Sequence, residues 1–239
     1  MEFAIISAGE GSRLSQEGVQ LPKPLVCING KAMIDRLIDI FINNGADHIV
    51  VIINNEVQQT KEHLMALKER VSVPMDVVVK TTPSSMHSFY ELSKYLKGDK
   101  FCLTTVDTIF REDEFARYID AFSNSDKDGL MAVTDYIDDE KPLYISTDDN
   151  KKITGFHDSN EGGCKYISGG IYCLSSKSVG ILENCIGKGM SRMRNYQREL
   201  VAGGLNLEAY PFSKILDVDH ASDIVKAEEF LSSEIENKL

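Results

Sequence analysis

The amino-acid sequence predicts an α/β fold: an open, mostly parallel sheet with helices on both faces, continued by a mixed or antiparallel extension. Up to Thr105, short apolar runs alternate with helical patterns in the order β-α-β-α-β-α-β. Strands joined in that way pair in parallel through right-handed crossovers, and the crossovers place helices on both faces. Past residue 130, strand patterns follow one another with no helix between them, which suits antiparallel pairing.

Taken in order, residues 3–7 read as the first strand. A helix follows over 33–44, where Met33, Ile34, Leu37, Ile38, Phe41 and Ile42 recur on one face and Gly45 stands in the position that ends a helix. Next come a strand at 48–53, a helix at 56–70 turning Val57, Thr60, Leu64 and Leu67 inward, a strand at 75–79, a helix at 87–96 and a strand at 101–105. Phe115, Tyr118, Ile119 and Phe122 mark a further helix. Strands are expected near 130–136, 143–147, 152–156 and 166–174, helices at about 176–185 and 190–202, strands at 206–212 and 215–218, and a closing helix near 221–235. No linker, repeat or low-complexity run divides residues 1–239, so one domain is expected.

Composition narrows the partners. Acidic side chains number 37 against 26 basic ones, a net charge of -11, whereas gripping a nucleic-acid backbone requires Lys and Arg in excess. Nucleic acid is therefore not an expected partner, although a local basic pocket for one small phosphate compound remains open. No run approaches a membrane span, and the first residues lack the positive start of a secretory signal, so a cytoplasmic protein is expected. The cysteines, Cys27, Cys102, Cys164, Cys173 and Cys185, are odd in number and lack zinc-ligand spacing; they read as free and mostly buried thiols.

The chemistry starts where the first strand ends. Ser7-Ala8-Gly9-Glu10-Gly11-Ser12-Arg13-Leu14 sets a glycine-rich turn at the carboxyl edge of a parallel sheet, where ligands of open α/β folds bind. Glycines there let backbone N–H groups approach a phosphate closely. The dinucleotide fingerprint fails, because Leu14 stands in place of its third glycine and a polar loop is expected up to Pro22; the P-loop ending Gly-Lys-Ser/Thr is also missing. Instead, Lys23 is held between Pro22 and Pro24, whose fixed φ angles restrict its stem. Arg13 and Lys23 thus place two cations on one loop, or else form an ordinary solvated turn.

Together these residues resemble the nucleotidyltransferase family that joins a nucleoside triphosphate to a sugar 1-phosphate or a related phosphomonoester. Its signature, Gly-x-Gly-x-Arg-Leu, then Pro-Lys-x-Leu, then Gly-Lys before an amphipathic helix, is matched by Gly9–Leu14, Pro22–Leu25 and Gly30-Lys31. Thr105-Val106-Asp107 and Asp217-Val218-Asp219 look like its two metal segments, and Ser168-Gly169-Gly170-Ile171-Tyr172 like its acceptor strand. The resemblance implies a Rossmann-like nucleotidyltransferase fold with a nucleotide-binding half (1–110) and an acceptor-binding half (111–239). It implies Arg13 and Lys23 as catalytic cations, Ala8, Gly9, Gly11, Ser12 and Ser85 against the nucleotide, Gly170 and Lys165 at the acceptor, and Asp107 and Asp219 holding Mg²⁺. Val106, Ser84-Ser85 and His157-Asp158 depart from common family residues. Met86–Leu92 with Asp217–Asp219 also resembles the phosphocholine cytidylyltransferase branch, whose acceptor cation sits among aromatic rings; Tyr136, Tyr144 and Tyr166 are the rings available.

The residues support such chemistry on their own terms. A phosphomonoester is largely dianionic near neutrality, its second pKa being ~6, so it can attack a phosphorus without a general base. Alignment and charge screening are what a site must provide, and hard carboxylate ligands suit Mg²⁺. Several roles stay open. Asp217 either assists the metal or satisfies a backbone group, His87 either touches the nucleotide or starts a helix, and Lys165 is either an acceptor contact or a solvated edge residue. Arg192, Arg194 and Arg198 form either a solvated helix face or a contact to acceptor or a second copy, and a homo-oligomer is left open. Two other function classes compete: a metal-dependent glycosyltransferase using Asp217-x-Asp219, and a nucleotide-binding regulator without catalysis.

Overall fold

The computed structural model describes residues 1–9, 11–138 and 140–236. The first strand, β1 (Glu2–Ser7), is buried along its whole length. After the glycine turn come a short helix α1 (Ser12–Gln16), a 3-10 turn (Lys23–Leu25) and a two-residue hairpin of β2 (Cys27–Ile28) and β3 (Lys31–Ala32). Two of these differ from expectation. The predicted polar loop contains α1, which buries only Leu14, too little for apolar periodicity to reveal. The hairpin turns on Asn29 and Gly30 with φ of 49° and 77°, the left-handed geometry that suits a tight hairpin.

The alternating part follows as α2 (Met33–Asn43), β4 (His48–Ile53), α3 (Gln58–Lys68), β5 (Met75–Val79), α4 (Ser85–Ser93) and β6 (Lys100–Thr105). β5, β4, β1 and β6 lie side by side in parallel. The chain builds β1, β4 and β5 outward in one direction, then returns to lay β6 on the far side of β1. That reversal opens a crevice at the carboxyl ends of β1 and β6, where ligands bind in such sheets. Gly45 adopts φ 71° just after α2, the conformation expected of it.

The later half comprises β7 (Thr108–Ile109), α5 (Glu112–Ser123), β8 (Gly129–Thr134), β9 (Tyr144–Thr147), β10 (Ile153–His157), β11 (Tyr166–Ser175), α6 (Lys177–Gly187), α7 (Met193–Ala202), β12 (Leu207–Pro211), β13 (Leu216–Asp217) and α8 (Ala221–Glu236). β11 joins β6 in antiparallel fashion and carries β8 and β9 with it, so one sheet runs through both halves. The strand expected at 215–218 is not part of that sheet. β13 pairs instead with β7, setting Asp217 opposite Thr108 and Leu216 opposite Ile109.

Both faces of the sheet are covered. Phe3 and Ile5 of β1 pack with α2 and α5 through Phe41 and Phe115, and the Phe3 and Phe41 rings stack at 4.4 Å. Ala4 and Ile6 face the other way, onto Phe89, Leu182, Tyr196 and Leu200 of α4, α6 and α7. This alternation along one strand is the period-two signature of a sheet buried on both sides. All the cysteines are free thiols, with Cys102, Cys173 and Cys185 buried. No described helix is long and apolar enough to cross a membrane.

Candidate active site

The glycine turn opens directly off β1. Gly11 sits at φ 62° as the residue before α1, and a Cβ there would lie 2.9 Å from Lys23 Cβ. Only glycine allows the loop and the Pro-Lys-Pro segment to approach so closely. Glu10, inside the turn, lies outside the described residues. Ala8, Gly9, Gly11, Ser12, Arg13 and Lys23 line a cavity of about 570 Å³ together with Thr81, Thr82, Pro83, Ser84, Ser85 and Ser88. That volume suits a nucleotide-sized ligand.

The charges converge at the open edge of β1 and β6. The Lys23 ammonium contacts the Asp107 carboxylate and lies 2.7 Å from Asp219 Oδ1, with its side chain 11% exposed. Burial alone would lower the lysine pKa; Asp107 and Asp219 together outweigh it and hold the ammonium above its usual value. Arg13 Nη1 donates to Asp219 Oδ2 at 3.0 Å. The two carboxylates reach this point from separate turns that are bonded to each other, since Val218 N donates to the Asp107 carbonyl at 3.0 Å. Sequence positions 13, 23, 107 and 219 therefore form one constellation, as the motif reading expected.

A second cavity, of about 290 Å³, adjoins the first and shares Arg13 and Asp219 with it. Thr134, Tyr136, Asp138, Glu140, Ser168, Gly169, Asp217, Asp223 and Lys226 are among its lining residues. The wall from β11 depends on a bulge between Ser168 and Tyr172. At Gly169 a Cβ would fall 2.2 Å from Ile215 Cδ1, and Gly170 adopts φ 74°. Beneath the bulge, Ser168 Oγ donates to Gln197 Oε1 at 3.3 Å and Gln197 Nε2 donates to the Tyr172 hydroxyl at 3.1 Å. Burial pushes the Tyr172 pKa up to about 12.

Other expected residues are placed elsewhere. Gly170 backs onto the Thr108 hydroxyl, and Ile167, Ser168 and Gly169 are the residues of that strand that reach the cavity. Lys165 is exposed and lies 5.0 Å over the Tyr166 ring; it lines neither cavity. Asp217 belongs to the second cavity and not the first. His87 bonds Ser84 Oγ through Nδ1 at 2.9 Å, supporting the cleft wall from behind. Arg194 and Arg198 do not form a free solvated face, because both bind Asp158, at 2.5 and 2.7 Å. The three tyrosines form no cage: Tyr144 pairs with Ile167 and Tyr166 with Ile145, so the two rings stand on opposite faces, and Lys214 Nζ covers the Tyr136 ring at 4.2 Å.

Sequence reading missed Asn54, Glu56, Thr81 and Thr82 of the cleft and Asp138, Glu140, Asp223 and Lys226 of the second cavity. It also missed Glu17. The Glu17 carboxylate takes the His220 ring at 2.6 Å and the Ala221 N–H at 2.7 Å, and these two partners hold it below the usual carboxylate range. An acid on a loop otherwise built for anions was the available signal.

A family model described as nucleotidyl transferase matches residues 4–234. The chain belongs to the nucleotidyl transferase family. Among curated relatives of this nucleotidyl transferase, the bifunctional protein GlmU of Methanococcus maripaludis is 25% identical, the alignment covering 100% of this chain and 56% of that one. The bifunctional protein GlmU of Thermodesulfovibrio yellowstonii is 27% identical, covering 90% and 48%. The chain thus spans about half the length of the curated relatives it matches. The solved inositol-1-phosphate CTP transferase from T. maritima superposes with a TM-score of 0.79 at 18% identity, covering 96% of this chain and 97% of that one. HddC from Yersinia pseudotuberculosis gives a TM-score of 0.71 at 20% identity, with coverage of 96% and 98%. At these identities the structures establish the shared fold.

Proposed function

We propose that this nucleotidyl transferase moves a nucleoside monophosphate from an NTP to a small, hydroxyl-rich phosphomonoester of the sugar 1-phosphate type and releases pyrophosphate. The observation that carries this reading is the junction of the two cavities at Arg13 and Asp219, with Lys23 between Asp107 and Asp219. A triphosphate in the larger cavity and a monophosphate in the smaller one would meet there.

An oxygen of the acceptor phosphate attacks the α-phosphorus, one P–O bond forms, and the bond to the β-phosphate breaks with its electron pair leaving on pyrophosphate. Backbone N–H groups at Gly9, Gly11 and Ser12 orient the triphosphate, while Lys23 and Arg13 neutralise charge on the transferring and leaving groups. Asp107 and Asp219 fit a divalent cation, because in the ligand-free arrangement both carboxylates already converge on one cation, the Lys23 ammonium. One or two carboxylates are what Mg²⁺ typically takes from a protein, its shell being completed by phosphate and water. When bound, Mg²⁺ would screen the charge of the departing pyrophosphate.

The second cavity favours a polyol over a quaternary ammonium. Its carboxylates can accept hydrogen bonds from hydroxyls, and the tyrosine on its wall, Tyr136, is already covered by Lys214. The structural neighbour named for inositol 1-phosphate and CTP supports the same class. The glycosyltransferase reading would couple Asp217 with Asp219, whereas Asp219 shares its cation with Asp107. The test is pyrophosphate release with each of four NTPs and Mg²⁺ against sugar 1-phosphates, inositol phosphates and phosphocholine. Release with a polyol phosphate supports the proposal, release with phosphocholine alone redirects it, and no release with any pair overturns it.

A further inference from the structure

We propose that Glu17 is a positioning residue of the transfer site, clamping the end of the glycine-rich loop to the turn that presents Asp219. The inference rests on the nucleotidyltransferase reading and adds to it a residue that touches neither substrate. Glu17 follows α1 directly and lies one helical turn beyond Arg13, so both side chains leave the same side of the loop. They grip consecutive residues. Arg13 holds the Asp219 carboxylate at 3.0 Å, and Glu17 holds the His220 ring at 2.6 Å and the Ala221 N–H at 2.7 Å.

The turn has supports of its own. Asp223 Oδ2 accepts from Asp219 N at 3.1 Å and His220 N at 2.8 Å, and Val218 N reaches the Asp107 carbonyl. Those bonds shape the turn and join it to β7, but they do not tie it to the phosphate loop. Only Arg13, Lys23 and Glu17 among these residues make that connection, and the first two are the cations a triphosphate would attract. A carboxylate is repelled by the same ligand. When the cations turn to the phosphates, Glu17 keeps loop and turn in register, with its charge well placed at the start of α8. Glu140 lies 3.8 Å from His220 Nε2 and 4.0 Å from Arg13 Nη2, so the segment between β8 and β9 abuts the same clamp.

The test compares Glu17→Ala and Glu17→Gln with the unchanged full chain. Thermal unfolding is recorded for each, with kcat and KM for both substrates and Mn²⁺ binding in the presence of inorganic tripolyphosphate, read as free Mn²⁺ by electron paramagnetic resonance. Loss of hydrogen bonds to a charged group at this half-exposed site should weaken Mn²⁺ binding and lower kcat by about tenfold in Glu17→Ala, with KM for the NTP within about threefold. Glu17→Gln should recover most of both, since its amide oxygen still accepts from Ala221. Unchanged Mn²⁺ binding in Glu17→Ala, a loss confined to the unfolding temperature, or a Gln variant as impaired as Ala would each overturn the clamp. Should Glu17→Ala fail to fold, His220→Ala, which removes one jaw, carries the same expectation at about half the effect on a logarithmic scale. If the unchanged chain releases no pyrophosphate with any pair while Glu17→Ala still loses Mn²⁺, the activity reading fails and the clamp stands.

Discussion

The two cavities that meet at Asp219 differ in how acids and small residues are balanced along their walls. The larger one is walled mostly by small residues, hydroxyls and backbone, with Lys23 and Arg13 set against Glu56, Asp107 and Asp219. The smaller one carries five carboxylates, from Asp138, Glu140, Asp217, Asp219 and Asp223, with Lys226 and the shared Arg13 set among them. A polyanion could not enter the second without strong repulsion, while a ligand bearing one phosphate and many hydroxyls could present the phosphate at Arg13 and donate hydrogen bonds to the acids. In a chain of net charge -11, selectivity on the proposed reading would thus arise from where a few cations are placed, not from overall charge.

Removing the ammonium at the junction should break this contrast most severely. Lys23→Ala is expected to lower turnover by at least ~100-fold, as loss of an electrostatic partner of the transferring group typically does. It also leaves Asp107 and Asp219 facing each other without their shared cation. Circular dichroism should show the fold retained. Activity within threefold of the unchanged chain would remove Lys23 from the mechanism.

The next largest effects separate the acids by cavity. Asp107→Asn and Asp219→Asn should each raise the Mg²⁺ concentration for half-maximal activity, and the double variant should lose little beyond the worse single one, because both would serve one ion. Asp217→Asn should instead raise the acceptor KM and leave the Mg²⁺ profile alone, since it lines only the second cavity. Equal Mg²⁺ shifts for Asp217 and Asp219, with Asp107 silent, would restore the glycosyltransferase reading.

The same contrast governs how far the sequence could be read. β4 and β5 have the bounds the apolar runs predicted: β4 is buried on both faces and announces itself as a continuous hydrophobic stretch, and β5, the half-buried edge strand beside it, still carries a Val-Val-Val run. The larger cavity was legible through Gly9–Leu14 and Pro22–Leu25, since phosphate-binding backbone needs glycine and proline at fixed local spacing. The smaller cavity was not. Asp138, Glu140 and Asp223 are ordinary surface acids in sequence, and only the β7–β13 pairing and the Ser168 bulge collect them. The role of Lys165 stayed open for a related reason: a charge beside a strand says nothing of which way the strand faces, and this one lies over Tyr166 as an exposed edge residue.

Arg13 belongs to both cavities, and its replacement should affect both substrates. Arg13→Lys preserves the charge but not the planar fork that spans two phosphate oxygens, and the expected loss in kcat/KM is about tenfold. Because Arg13 also binds Asp219, the variant should raise KM for NTP and acceptor together. A silent Arg13→Lys would mean that a point charge suffices and that the guanidinium makes no paired contact.

The smallest expected effect tests whether the second cavity has a floor of its own. Gln197 is 3% exposed, and its amide joins the hydroxyls of Ser168 and Tyr172. Gln197→Leu keeps the volume but removes both bonds, taking one partner from the buried Tyr172 hydroxyl and one from the half-buried Ser168 hydroxyl at a cost of about 1 kcal/mol, visible as a lower unfolding temperature. Of the two hydroxyls only Ser168 reaches a cavity, so the kinetic consequence should be one-sided. The acceptor KM should rise about threefold while the NTP KM and the Mg²⁺ profile stay constant, because Ser168 loses its orientation but not its place on β11. Stability must be measured first, and the kinetics taken well below the unfolding temperature, so that a shrinking folded fraction does not imitate a lower kcat. Parallel increases in both KM values would show that the bulge supports the whole site, and that the two cavities do not recognise their ligands independently.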